Sequence, residues 1–123
     1  LHADPAQMLV LTDDFHLDLG GLRARASGSS GGHNGLRSIE DSLGCQDPET
    51  QEFLPYQEFA RLRIGVGSPK HSSVEFVLEN FRPGETETVE ETLMTASWAA
   101  EDWAMGTSIE EIQARYNRRK PQA

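Results

Sequence analysis

His33 and Asn34 stand where the run Gly28-Ser29-Ser30-Gly31-Gly32 meets the start of a helical pattern, so an imidazole and an amide are presented side by side. Glycines lack Cβ. Such a loop can take positive φ, approach another molecule closely and turn its N–H groups toward a phosphate or an ester carbonyl. Asp13 and Asp14 close the apolar run Met8-Leu9-Val10-Leu11-Thr12, and the C-terminal edge of a strand is where open α/β sheets place ligands. A carboxylate beside an imidazole raises its basicity and fixes its tautomer. Arg23 and Arg25 alternate with Leu22, Ala24 and Ala26, so both guanidiniums leave one face of a strand; Arg63 leaves the polar face of a second, Arg61-Leu62-Arg63-Ile64-Gly65-Val66-Gly67. Side-by-side guanidiniums repel unless an anion joins them, and phosphate would satisfy both. The plainer readings are a flexible Gly/Ser linker, solvated turn aspartates and solvated edge arginines.

Other chemistries fit less well. Gly28-Ser29-Ser30-Gly31-Gly32 has the Gly-x-Ser-x-Gly form of a nucleophile elbow, but that turn needs a buried apolar strand leading into it, and Arg-Ala-Arg-Ala-Ser is amphipathic. Ser30 is therefore not read as a nucleophile. No Gly-Lys-Ser/Thr follows the glycines to support a P-loop. His2, His16, His33 and His71 lack metal-ligand spacing, and Cys45, the one cysteine, allows neither an intramolecular disulfide nor a cysteine-cluster zinc site.

The elements that must position these groups fit one domain of 123 residues, with no apolar run of membrane-spanning length. A net charge of −9 argues against indiscriminate nucleic-acid binding, yet Gly20 to Ile39 holds no acidic residue while carrying Arg23, Arg25, His33 and Arg37. The carboxylates crowd into 40–58 and 85–111, which predicts a basic face on an acidic protein. Asp4-Pro5 predicts a turn or helix start. Met8 to Thr12 predicts a strand buried on both faces, and Leu22 to Ala26 and Phe59 to Gly67 predict amphipathic strands. A helix with Asn34 as N-cap runs through Leu36, Ile39 and Leu43 to a stop at Gly44. Residues 45–58, with Pro48 and Pro55, read as an exposed excursion. Ser73 to Phe81 predicts a short helix. Val89, Leu93, Ala96, Ala100 and Trp103 predict an amphipathic one, with small residues for close packing. Ser108 and Glu111 form a capping box ahead of Ile109, Ile112 and Tyr116. The basic Arg118-Arg119-Lys120 reads as a complement to the helix dipole and a solvated end.

Three blocks in this order, Leu9-Val10-Leu11-Thr12-Asp13-Asp14 with Leu17 and Gly20, Gly31-Gly32-His33-Asn34-Gly35-Leu36-Arg37-Ser38-Ile39, and Arg61 to Gly67, resemble the bacterial-type peptidyl-tRNA hydrolase family. The similarity runs from about Met8 to Asn117 and is weaker at Ala114-Arg115-Tyr116-Asn117. It implies an α/β fold, a single domain over 1–123 with a mixed twisted sheet flanked by helices. It also implies an enzyme that hydrolyses the ester joining a peptide to the terminal ribose of tRNA, without a cofactor. In that chemistry a histidine activates water. By resemblance, Asp13 orients that histidine, Asn34 positions the water and the peptide, and His33 is an auxiliary residue of the catalytic site. Gly31, Gly32 and Gly35 belong to the substrate loop. Arg25 and Arg63, with Arg23 beside them, resemble the clamp on the tRNA 5′ phosphate.

The family's Gly-Asn-Pro-Gly, Thr-Arg-His-Asn and Met-Asn motifs, the second of which carries the catalytic histidine, occur nowhere in this sequence. Residues 45–58 are longer than the family's link, and His16 stands where an aspartate is common. His2 and His16 lie in the wrong context to be the base. Asp13 is thus expected to lack a partner, and loss of a general base costs about 10² to 10⁴ in rate. The expectation is a C-terminal portion of the family's domain, incomplete at its N-terminus, with apolar strand surface exposed and self-association or dependence on the missing segment as the result. Its partner would be peptidyl-tRNA rather than a membrane, in the cytoplasm or in a mitochondrion or plastid. A second reading is a non-catalytic RNA-binding or splicing-partner protein of the same fold.

Overall fold

The computed structural model describes residues 4–67 and 81–120. Asp4 takes the Ala6 N–H on its carboxylate at 2.9 Å and caps a 3₁₀ turn over Pro5–Gln7, as the Asp-Pro pair predicts. The described strands are β1 (Leu9–Asp14), β2 (Leu22–Arg25), β3 (Cys45–Gln46), β4 (Phe53–Leu54) and β5 (Ala60–Gly65). The described helices are α1 (Asn34–Leu43), α2 (Thr86–Ala104) and α3 (Ile109–Tyr116). β5 is central, with β1 parallel on one side and β2 antiparallel on the other, so the sheet is mixed as expected. β3 and β4 form a separate small hairpin inside the exposed 45–58 excursion.

Register sorts the side chains. Thr12, Arg63 and Arg23 lie in one row across the sheet, and Leu11, Leu62 and Ala24 in the next. Because side chains alternate, the arginines of β2 and β5 leave one face and the apolar residues the other. On the apolar face Leu22, Ala24 and Leu62 pack with Ala96 and Ala99 of α2 and Ile112 of α3, rimmed by Leu9, Ile64, Trp103, Ile109 and Tyr116. Each large member contributes roughly 1.5–3 kcal/mol by leaving water. α1 serves the other face, where Glu40 meets Arg61. Ser108 accepts the Glu111 N–H at 3.2 Å and starts α3 as predicted, although the Glu111 carboxylate pairs with Arg115.

The expected two-sided burial of β1 is not found: β1 is an edge strand with β5 as its only strand neighbour among the described residues, and Leu11 is 42% exposed. The buried face of α2 is rotated from the predicted one. Thr92 and Thr95 are buried, their hydroxyls donating to the Thr88 and Glu91 carbonyls at 2.7 and 3.0 Å, which frees their methyl groups to pack. Leu93, placed on the buried face by its spacing, is instead left exposed with Met94 and Trp98. The helix predicted over Ser73–Phe81 lies outside the described residues except for Phe81, which is exposed and not helical. No described helix is long and apolar enough to cross a membrane.

The basic tail is more than a solvated end. Leu22 and Arg118 exchange both backbone hydrogen bonds at 2.9 Å. Arg118 Nε donates to the Gly20 carbonyl, and Nη1 and Nη2 donate to the Glu91 carboxylate at 3.0 and 2.6 Å. That bond from Arg118 is the main cause holding the Glu91 carboxyl below its ordinary value of 4.5. A carboxyl depressed on folding contributes stability that is present above its unfolded value and lost as pH falls through its folded one. The wild-type melting temperature should therefore drop more steeply than that of Glu91→Gln as pH is lowered below about 4.5. Parallel melting profiles would show that the pair contributes nothing.

Candidate active site

Gly31 and Gly32 take φ of 59° and 85°, values an L side chain rarely adopts, and turn the chain so that the His33 N–H reaches the Ser30 carbonyl at 3.0 Å. His33 itself starts α1: its backbone is extended and its Nδ1 accepts the Leu36 N–H at 3.0 Å. The N-cap is thus His33, and Asn34 is the first helical residue instead of the cap. An imidazole nitrogen does here what a side-chain oxygen usually does. A Cβ on Gly35 would stand 3.0 Å from His33 Cε1, so glycine there leaves room for the ring.

An Nδ1 that accepts carries no proton, which puts the ring proton of the neutral imidazole on Nε2. Nε2 lies 2.8 Å from Asp13 Oδ1 and 2.7 Å from Thr12 Oγ1, and donates into the gap between them. The Thr12 hydroxyl donates in turn to the Asp13 carbonyl at 3.2 Å. Asp13 therefore has a partner in this chain, contrary to expectation, because the glycine turn returns His33 to the end of β1. His33 is committed at both nitrogens and cannot act as a base without giving up the helix cap. Thr12 was missed from the sequence; the available signal was its place on the polar face beside Arg63. Asn34 is exposed, and its amide makes no hydrogen bond among the described residues.

Loss of the cap gives a test. His33→Ala should destabilise the fold by about 1 kcal/mol in urea denaturation, and His33→Ser should recover most of that while leaving Asp13 unpartnered. Equal losses in the two variants would locate the stability in the Asp13 bond.

The arginines meet in a second part of the site. Arg23, Arg25, Arg61 and Arg63 line one cleft of about 280 Å³ with Asp14, His16 and the loop from Ser27 to Gly31. Arg63 is fixed: Nη1 lies 3.4 Å from Asp14 Oδ2, and Nη2 donates to the Ser29 carbonyl at 3.0 Å. Asp14 is buried, so of the two adjacent aspartates only Asp13 faces solvent. Arg61 is wholly buried against Glu40 and the Phe59 ring, a structural role that strand alternation alone did not separate from that of Arg63. Arg23 and Arg25 are exposed and form no ion pair among the described residues. On the far side Asp13 borders an apolar cleft of about 270 Å³ lined by Leu11, Ile64, Val66, Phe81 and Leu93.

The family model described as peptidyl-tRNA hydrolase matches residues 1–123. The chain belongs to the peptidyl-tRNA hydrolase family. A peptidyl-tRNA hydrolase of Lactiplantibacillus plantarum is 35% identical over 117 residues, covering 94% of this chain and 57% of the relative. One from Leuconostoc mesenteroides is 38% identical over 117 residues, covering 93% and 56%. The crystal structure of peptidyl-tRNA hydrolase from Acinetobacter baumannii matches with a TM-score of 0.72 at 25% identity, over 93% of this chain and 53% of that one. The chain thus spans about half the length of the peptidyl-tRNA hydrolases it matches.

Proposed function

We propose that this chain grips the acceptor end of peptidyl-tRNA and takes part in hydrolysing the ester between the peptide and the terminal ribose. The observation that carries the reading is the convergence of Arg23, Arg25 and Arg63 on one cleft beside the glycine loop that presents His33 and Asn34. A terminal phosphate in that cleft would be held by Arg25 and by donors that Arg63 does not spend on the loop. Attack of water on the ester needs a base for the water's proton and a donor for the carbonyl oxygen. The amide of Asn34, exposed and without a hydrogen bond among the described residues, suits the second task. Asp13 suits the alignment of the base: His33 occupies Oδ1, while Oδ2 carries no bond among the described residues. The base must be another group, since both nitrogens of His33 are engaged and His16 lines the arginine cleft.

That same commitment of His33 supports a second reading for the chain by itself, RNA binding without turnover. The two are separated by measuring binding of peptidyl-tRNA and release of its peptide. The chain should bind with affinity that falls steeply in salt and is weakened by Arg25→Ala, and should release peptide about 10² to 10⁴ times more slowly than a full-length relative. Absence of binding defeats both readings. Turnover at the relative's rate, abolished by Asp13→Asn, would mean that a base within the chain had been overlooked.

A further inference from the structure

A second polar cleft, of about 430 Å³, adjoins the arginine cleft. His16 and Arg23 line both, so the two clefts share a rim. The second is completed by Asp18, Leu22, Asn117 and Arg119. Backbone pairing puts Arg119 there: the Leu22 to Arg118 bridge lays the tail along β2, and a Cβ on Gly21 would lie 3.0 Å from the Arg119 carbonyl. Neighbouring cations differ in state. Arg118 is spent on Glu91 and the Gly20 carbonyl. Arg119 is exposed and, like Arg23 and Arg25, forms no ion pair among the described residues. Arg23, Arg25 and Arg119 thus lie along the two clefts with no ion pair among the described residues, in a chain of net charge −9.

We infer that this second cleft is a further contact for the RNA backbone, with Arg119 holding a phosphate beyond the one gripped by Arg25 and Arg63. The inference rests on the reading of the first cleft as a phosphate site and extends it. A ligand whose terminal phosphate enters the first cleft and whose chain carries more phosphates meets Arg23 at the shared rim and Arg119 beyond it. A ligand held in the first cleft and too short to extend past Arg23 leaves Arg119 unused. Counterion release makes the added contact measurable, because each neutralised phosphate contributes about 0.7 to 0.9 to the slope of log K against log salt.

The test compares a 5′-phosphorylated acceptor-stem minihelix with a 5′-phosphorylated dinucleotide, bound to the wild type, Arg119→Ala, Arg25→Ala and Arg82→Ala across a salt series. Arg82 is exposed, lines neither cleft, and controls for the loss of one unit of net charge. For the minihelix, Arg119→Ala should lower affinity about five- to tenfold and flatten the slope by about 0.7 to 0.9. Dinucleotide binding should be untouched by Arg119→Ala and weakened by Arg25→Ala. An unchanged minihelix slope in Arg119→Ala, or an equal fall in Arg82→Ala, overturns the second contact while leaving the first intact. No binding of either ligand by the wild type overturns the parent reading and this one with it.

Discussion

Replacing Glu40 with glutamine is expected to cost about 3 to 5 kcal/mol of folding stability, read as a fall in the urea midpoint without a change in slope. Arg61 is fully buried; its Nη1 lies 3.4 Å from Glu40 Oε1, its Nη2 donates to the Gln57 and Phe59 carbonyls at 2.9 and 3.3 Å, and its guanidinium sits 4.2 Å from the Phe59 ring centre. Burial lowers the Arg61 pKa, and the Glu40 hydrogen bond and charge oppose that shift. Glutamine keeps the size of the side chain and removes the countercharge. Arg61 would then be a buried cation held by carbonyl dipoles and the Phe59 ring, with no countercharge. Against a typical total of about 5 to 15 kcal/mol, the loss is a large fraction. Glu40→Leu combined with Arg61→Met should recover most of it, since an apolar pair carries no desolvation cost. A loss below about 1 kcal/mol for Glu40→Gln would mean that water reaches the pair. The substitution also bears on the site, because Arg61 Nη1 and Arg63 Nη2 both donate to the Ser29 carbonyl, at 3.5 and 3.0 Å. Loosening Arg61 loosens one of the two donors that hold the glycine loop.

What the sequence disclosed and what it hid divide along physical lines. The period-two pattern of Leu22 to Arg25 and the Ser108 cap of α3 are decided within a few residues, and both are found where predicted. The fate of Arg61 is not local. It and Arg63 occupy equivalent places in the strand pattern, but α1 brings a carboxylate over one, and Glu40 reads in sequence as a surface acid on an amphipathic helix. Asp13 and Asp14 are similarly indistinguishable until the fold buries one beneath Arg63 and turns the other to His33. The resemblance singled out Asp13, His33 and Asn34 together. It did not disclose the bond between the first two, because an imidazole serving as a helix cap lies outside the usual capping residues. Leu93 was assigned to the core by its spacing, and threonines that satisfy their own hydroxyls displaced it.

Arg63 and Arg25 should respond unequally to lysine, although each substitution conserves charge. Arg63→Lys is expected to weaken binding of a 5′-phosphorylated acceptor end about 10- to 100-fold, the loss of one or two charge-assisted hydrogen bonds. Arg25→Lys should stay within about threefold of wild type. The difference lies in what each guanidinium already holds. Arg63 spans Asp14 on one nitrogen and the Ser29 carbonyl on another, with Ser30 at 3.5 Å, and so fixes the loop and its own position at once. A lysine ammonium is a single point on a flexible stem; it cannot reach the buried carboxylate and the loop carbonyls together and still face a ligand. Arg25, exposed and without an ion pair among the described residues, offers chiefly a positive charge, which lysine supplies equally well. Dissociation constants at fixed salt, with urea denaturation as a check on folding, decide the matter. Equal tolerance of lysine at both positions would mean that Arg63 acts as a charge and not as a strut, and the preorganised phosphate site would have to be given up.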